Sequence, residues 1–174
     1  MKFIVTLAVF VSACTHLGSV SGDDAAILSA VTEDPFLHKM VGEASPGYLD
    51  RTTSVDFLHP WVRERVRGPL LFEGTSGEAV YVESSLFRDL LARNRIPASL
   101  GAEVRRPAYF SARDAVDVRH VDLSRPGWSP DGTHAIVAVR VFTPNGSCPA
   151  GYTAYLAKTA AGWKVIGHGA FWVV

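Results

Sequence analysis

The chain has 174 residues, with 17 Lys plus Arg against 17 Asp plus Glu, and 48% of it is apolar. That length allows one domain or two, and it can bury a core without a metal or disulfide staple. The balanced charge excludes the basic footprint by which nucleic acid is usually held, so no nucleic-acid partner is expected.

Lys2 is followed by Phe3 to Ala13 (FIVTLAVFVSA), an apolar run of 11 residues that is too short to span a bilayer and suits the hydrophobic region of a signal peptide. No later segment approaches the ~20 apolar residues of a membrane helix. Val11-Ser-Ala-Cys14 resembles the lipobox of bacterial lipoproteins. In that reading residues 1–13 are the signal peptide, Cys14 is the lipidation site, 14–22 is a tether, and 23–174 is a single α+β domain. The alternative is ordinary cleavage after Ser21, which removes residues 1–21. Both readings export the protein. It is then tethered by lipid to a membrane of the bacterial envelope, or is periplasmic or secreted.

Asp23 and Asp24 suit a helix N-terminus, Ile27, Leu28 and Val31 share one helical face, and Pro35 stops the pattern. A short helix is expected over 23–34. From Phe36 to Gly77 the periodicity is poor, with a turn at Ser45-Pro-Gly47 and a strand-like stretch over 48–53. Arg63, Arg65 and Arg67 form a short basic stripe if extended, the usual dress of a solvated edge. Ala79–Val82 reads as a strand, and Ser84 or Ser85 caps a helix that carries a Leu86, Phe87, Leu90, Leu91 stripe to Arg93.

After Pro107 the period changes from 3.6 to 2. Val116, Val118 and His120 share a strand face, and strand-like runs follow at 135–142, 152–158, 163–166 and 171–174. The expected fold is α+β, with one or two helices on a curved antiparallel sheet of about four to six strands. Trp128-Ser-Pro-Asp-Gly132 has the form of a propeller turn, but it occurs once, whereas a propeller repeats it in every blade. Pro130, Asp131 and Gly132 are what a bulged hairpin turn asks for on its own.

Three stretches carry a resemblance: Val121-Asp-Leu-Ser-Arg-Pro-Gly-Trp128, Tyr152-Thr-Ala-Tyr-Leu-Ala-Lys158 and Gly162-Trp-Lys-Val-Ile166. Together they look like a group of exported bacterial proteins of no established activity, in which a Leu-Ser-Arg-x-Gly-aromatic strand precedes a tyrosine-rich hairpin. The order of elements is more distantly similar to the cone-shaped nuclear-transport-factor-2-like superfamily. That resemblance implies a curved sheet wrapped around a pocket, and it implies neither a cofactor nor a reaction.

The six histidines do not pair at zinc-ligand spacing and the two cysteines add no cluster, so no metal and no cofactor are expected. Cys148 lies in a turn-rich loop with no His or Lys beside it, a setting that leaves a thiol chemically idle. Neither a Gly-x-Ser-x-Gly elbow nor a phosphate-binding glycine loop occurs. A catalytic reading sets His120 or His168 beside Asp114, Asp117 or Asp122 as a general base held by a carboxylate. A binding reading takes His120, Trp128, Tyr152, Tyr155 and His168 as pocket or sheet-face residues, with the aromatics supplying stacking area. With no motif that demands catalysis, the leading expectation is a non-enzymatic, lipid-anchored binding module for a small ligand or an envelope protein. A small hydrolase or isomerase using a His/Asp pair is the alternative, and a structural envelope component a further one.

Overall fold

The computed structural model describes residues 18–20, 22–42, 47–53, 70–110, 118–143 and 150–173. Cys14, Cys148, Asp114, Asp117 and the Arg63–Arg67 stripe lie outside the described residues. Among those described are three helices, α1 (Asp23–Thr32), α2 (Pro35–Val41) and α3 (Ser84–Arg93). The strands are β1 (Gly47–Leu49), β2 (Leu70–Gly74), β3 (Ala79–Val82), β4 (Arg119–Leu123), β5 (Gly127–Trp128), β6 (His134–Phe142), β7 (Ala150–Thr159) and β8 (Gly162–Val173).

The eight strands form one open mixed sheet in the order β1-β4-β6-β7-β8-β2-β3, with β5 paired to β6 off that path. Among the strand pairs of the described residues, β1 against β4 is parallel and the others are antiparallel. The protein is therefore α+β, with a sheet larger than the four to six strands expected. The surplus has a physical source. In β2, Leu71 is 59% exposed beside a buried Phe72, so apolar residues fall on both faces and the alternation that announces a strand is lost. β5 has two residues, too few to show any period.

The final strand also differs from expectation. Gly167 and Gly169 do not interrupt it: β8 runs unbroken from Gly162 to Val173. Its register against β7 shifts between Gly151 and Thr153 and again between Tyr155 and Leu156. The Gly-His-Gly segment is thus carried between two irregularities of the kind that re-aim side chains.

Helices cover both faces. On one, Ile27, Leu28 and Val31 of α1 and Leu37 and Val41 of α2 pack with Val137, Val139, Tyr152, Ala154 and Leu156. On the other, Leu86, Phe87 and Leu90 of α3 pack with Phe72, Ile136, Ala138 and Tyr155. Each buried Leu or Phe contributes about 1.5–3 kcal/mol by leaving water. Asp34, extended at φ −66°, caps α2 by accepting from Phe36 N at 3.2 Å, and Pro35 occupies the first turn where its missing N–H costs nothing.

The Leu-Ser-Arg-Pro-Gly-Trp stretch is an architectural joint. Ser124 Oγ accepts from Ala138 N at 2.9 Å. Gly127 sits so close to α3 that an added Cβ would lie 2.5 Å from the Leu86 carbonyl oxygen. Buried Asp24 accepts from Arg93 Nη2 at 2.6 Å, Arg125 Nη2 at 3.5 Å and Trp128 Nε1 at 2.9 Å. One carboxylate thereby binds the start of α1 to the end of α3 and to the β4–β5 connection, satisfying a charge that would otherwise be costly to bury.

Candidate functional site

A cleft of about 720 Å³ opens between the α1–α2 corner and β8, where β2 ends against it. Asp34, Phe36 and Lys39 form one wall. Trp163, Lys164 and His168 form the other, with Glu73 at the end of β2. The helices place the first set because Pro35 starts α2 immediately after the Asp34 cap. The second set comes from β8, whose central position between β7 and β2 fixes its direction.

Asp34 and His168 meet there. Asp34 Oδ1 caps α2, while Oδ2 lies 2.6 Å from His168 Nε2. A carboxylate offers no proton, so the bond fixes the tautomer with hydrogen on Nε2. The imidazole stacks on Phe36 at 4.3 Å and 27°, and meets the Tyr152 ring edge-on at 5.6 Å. The two side chains are only 12% and 6% exposed. Beneath them, burial first and then the charge of Asp34 hold the Tyr152 phenol well above its usual range. Burial likewise raises Tyr109, assisted by Asp34 and Glu33, and its hydroxyl donates to the Thr32 carbonyl. Both phenols therefore stay neutral across ordinary pH.

The rim is differently made. Glu33 is bridged to Arg105 at 3.1 Å. Lys39, Glu73 and Lys164 are exposed, and among the described residues none of them has an ion-pair partner.

The other expected site residues are distributed elsewhere. His120 on β4 stands opposite Phe142 and packs against it at 5.3 Å and against Tyr48 at 5.1 Å. It is separated from His168 by β6 and β7. Asp122, two residues on, is paired with Arg140 across the strands rather than with a histidine. Its pKa is pushed up to about 7, chiefly by burial and by a hydrogen bond with Asp50, against the opposing pull of Arg140. Trp128 is spent on Asp24 and packs edge-on against Trp163 at 5.2 Å. Tyr152 is on the His168 face, and Tyr155 is on the opposite one, where it stacks with His134 at 5.4 Å beside a smaller cleft of about 380 Å³.

Sequence reasoning passed over Asp34, Phe36, Lys39, Glu73 and Lys164. One signal was available: Asp34-Pro35 is a cap followed by a first-turn proline, which opens a helix as readily as it closes one. No group of three or more His, Cys, Asp or Glu suited to a metal occurs among the described residues. The chain matches no protein-family model, and comparison with curated proteins and with solved structures gives no significant match.

Proposed function

We propose that the protein is an exported binding module of the bacterial envelope, tethered through lipid at Cys14, which holds a small ligand in the cleft between α2 and β8 without acting on it chemically. The observation that carries the binding reading is the state of His168. Its Nε2 is occupied by Asp34, its face is covered by Phe36, and little of its side chain meets solvent. An imidazole held and covered in this way suits a structural role, while the open cleft beside it has the volume and mixed lining of a ligand site. The likeness to the cone superfamily is consistent with this, since that architecture also sets its pocket between helices and sheet.

Two measurements test the proposal. Mass spectrometry of the mature protein is expected to find an acylated Cys14, and Cys14→Ala to abolish membrane partitioning; an unmodified mature N-terminus at Gly22 overturns the tether. Titration with a fragment library, followed by amide shifts, is expected to move Lys39, Lys164 and His168 together. Shifts confined to Tyr155 and His134 overturn the assignment to this cleft.

The 2.6 Å Asp34–His168 contact favours a second reading, in which the pair moves a proton on the ligand as general acid and base. The readings part on the fate of the ligand. A bound fragment recovered chemically unchanged supports binding alone. Conversion that disappears in a folded His168→Gln variant replaces binding with catalysis.

A further inference from the structure

We infer that the smaller cleft, on the α3 face of the sheet, is a second ligand site, one that takes a primary ammonium group on a short apolar stem. It lies across the sheet from His168 and stands independently of the reading given to the α2–β8 cleft. Its walls include Glu83 and Leu86 at the start of α3, Pro130, Asp131 and His134 around the β5–β6 turn, and Tyr155 of β7.

Three acceptors there are unused among the described residues. Tyr155 is 7% exposed, yet its hydroxyl has no hydrogen-bond partner and is not sealed from solvent, so it opens on the cleft it lines. Burial holds this phenol above its usual range, followed by the charges of Glu83 and Asp131, so both carboxylates bear on the same hydroxyl. His134 stacks on the Tyr155 ring at 5.4 Å and 13°. Asp131, held down to about 2 chiefly by the Ser129 hydroxyl, stays ionised and takes the Thr133 hydroxyl proton at 2.8 Å. Thr133 Oγ1 then accepts from His134 Nδ1, also at 2.8 Å, which leaves Nε2 of the neutral ring as an acceptor without a partner. Glu83 Oε2 accepts from Ser85 Oγ at 3.1 Å, and Oε1 is uncommitted.

The charge has one sign. Glu83 and Asp131 line the cleft, and no Lys or Arg among the described residues does. At one charge each they sum to −2 beside a neutral His134 and to −1 beside a protonated one. The N-terminus of α3, worth about half a positive charge, lowers that sum without reversing it. Arg88, the first cation along α3, is held by Ser84 Oγ at 3.4 Å and forms no part of the lining. An ammonium brings three N–H donors and no acceptor, which answers the Tyr155 hydroxyl, His134 Nε2 and Glu83 together. Leu86 and Pro130 offer apolar surface to its stem, and a cleft of about 380 Å³ holds a group of that size.

The test titrates the full chain with butylamine, butyrate and 1-butanol, which share one chain, and follows the His134 and Tyr155 ring resonances. Butylamine is expected to bind tightest and to weaken as salt is added. Glu83→Gln and Tyr155→Phe, which keep size and packing, are each expected to weaken butylamine about fivefold and to leave 1-butanol unchanged. Two more probes separate the sources of such a group. Tighter binding of capped lysine (Nα-acetyl-lysine N-methylamide) than of 1,4-diaminobutane assigns a side chain of a partner protein, and the reverse order a free amine. Tighter binding of butyrate or 1-butanol at these residues overturns the ammonium assignment, as does butylamine binding that ignores both substitutions. Butylamine shifts that are absent, or confined to Phe36 and His168, overturn this site and leave the α2–β8 cleft reading standing.

Discussion

Asp34 reaches His168 across 134 positions of sequence with the one carboxylate oxygen that its own helix does not use. The side chain is thus both a local cap and a tertiary clamp. Removing it with Asp34→Ala takes away a cap worth ~1 kcal/mol and leaves a buried imidazole N–H unmet, for a total loss of about 2–3 kcal/mol. Asp34→Asn keeps a capping oxygen, so its cost is expected to be smaller. Urea unfolding of the two variants checks the order, and equal losses would show that the cap contributes nothing.

Asp122 gives stability a pH dependence of its own. Its folded-state pKa, pushed up to about 7 mainly by burial, lies above the ordinary value of 3.8 that it regains on unfolding. Between those values the folded chain holds a proton that the unfolded chain has lost. The contribution is therefore complete below pH 3.8 and drains away as pH rises through about 7. Asp122→Asn, which cannot titrate, is expected to flatten the melting temperature between mildly acid and mildly alkaline buffer. An unaltered slope would place the titration elsewhere.

Gly127 is required by proximity and not by its dihedral angles. A Cβ there would lie 2.5 Å from Leu86 O and 2.6 Å from Leu90 N, both backbone atoms of α3 that cannot swing aside. Gly127→Ala is expected to cost at least about 2 kcal/mol, in the range of overpacked cores. A variant as stable as the parent would mean that α3 rides further from β5 in solution.

Gly132 is the reverse case. Its φ is 69° in the turn closed by Gly132 N to Ser129 O at 3.0 Å, yet the space around an added Cβ is open. Strain alone should set the cost: about 1 kcal/mol for Gly132→Ala and more for Gly132→Val, whose branched side chain suits that conformation least. Thermal melts of the pair read the difference.

The long periodic elements were readable. α3, β3 and the body of the C-terminal meander follow the patterns that Leu86–Leu91, Ala79–Val82 and 135–142 display. Tyr152 and Tyr155 show where reading stopped short. They are separated by an odd number of positions, which on a regular strand sends them to opposite faces, as the two core clusters confirm. At Gly167 and Gly169 the missing side chains make room for the protein itself. The Glu73 carbonyl oxygen would stand 3.1 Å from a Cβ at Gly167, and the Phe72 ring fills the place of one at Gly169. The cleft was invisible for a different reason. Glu73 and His168 owe their juxtaposition to strand order, and no local period encodes which strand lies beside which.

Strand order has one more consequence, and it concerns time. β8 is last in chain order, yet it lies inside the sheet, hydrogen-bonded to β7 on one side and β2 on the other. During synthesis the β2–β3 hairpin is made early and then waits for its seat until residues 162–173 emerge. Closure of the loop between them comes late and is entropically demanding. A chain cut before Gly162 would not merely lose a frayed end. It would part the hairpin from the rest of the sheet and bare a long row of unpaired backbone on β7 and a short one on β2, the kind of surface on which chains join one another.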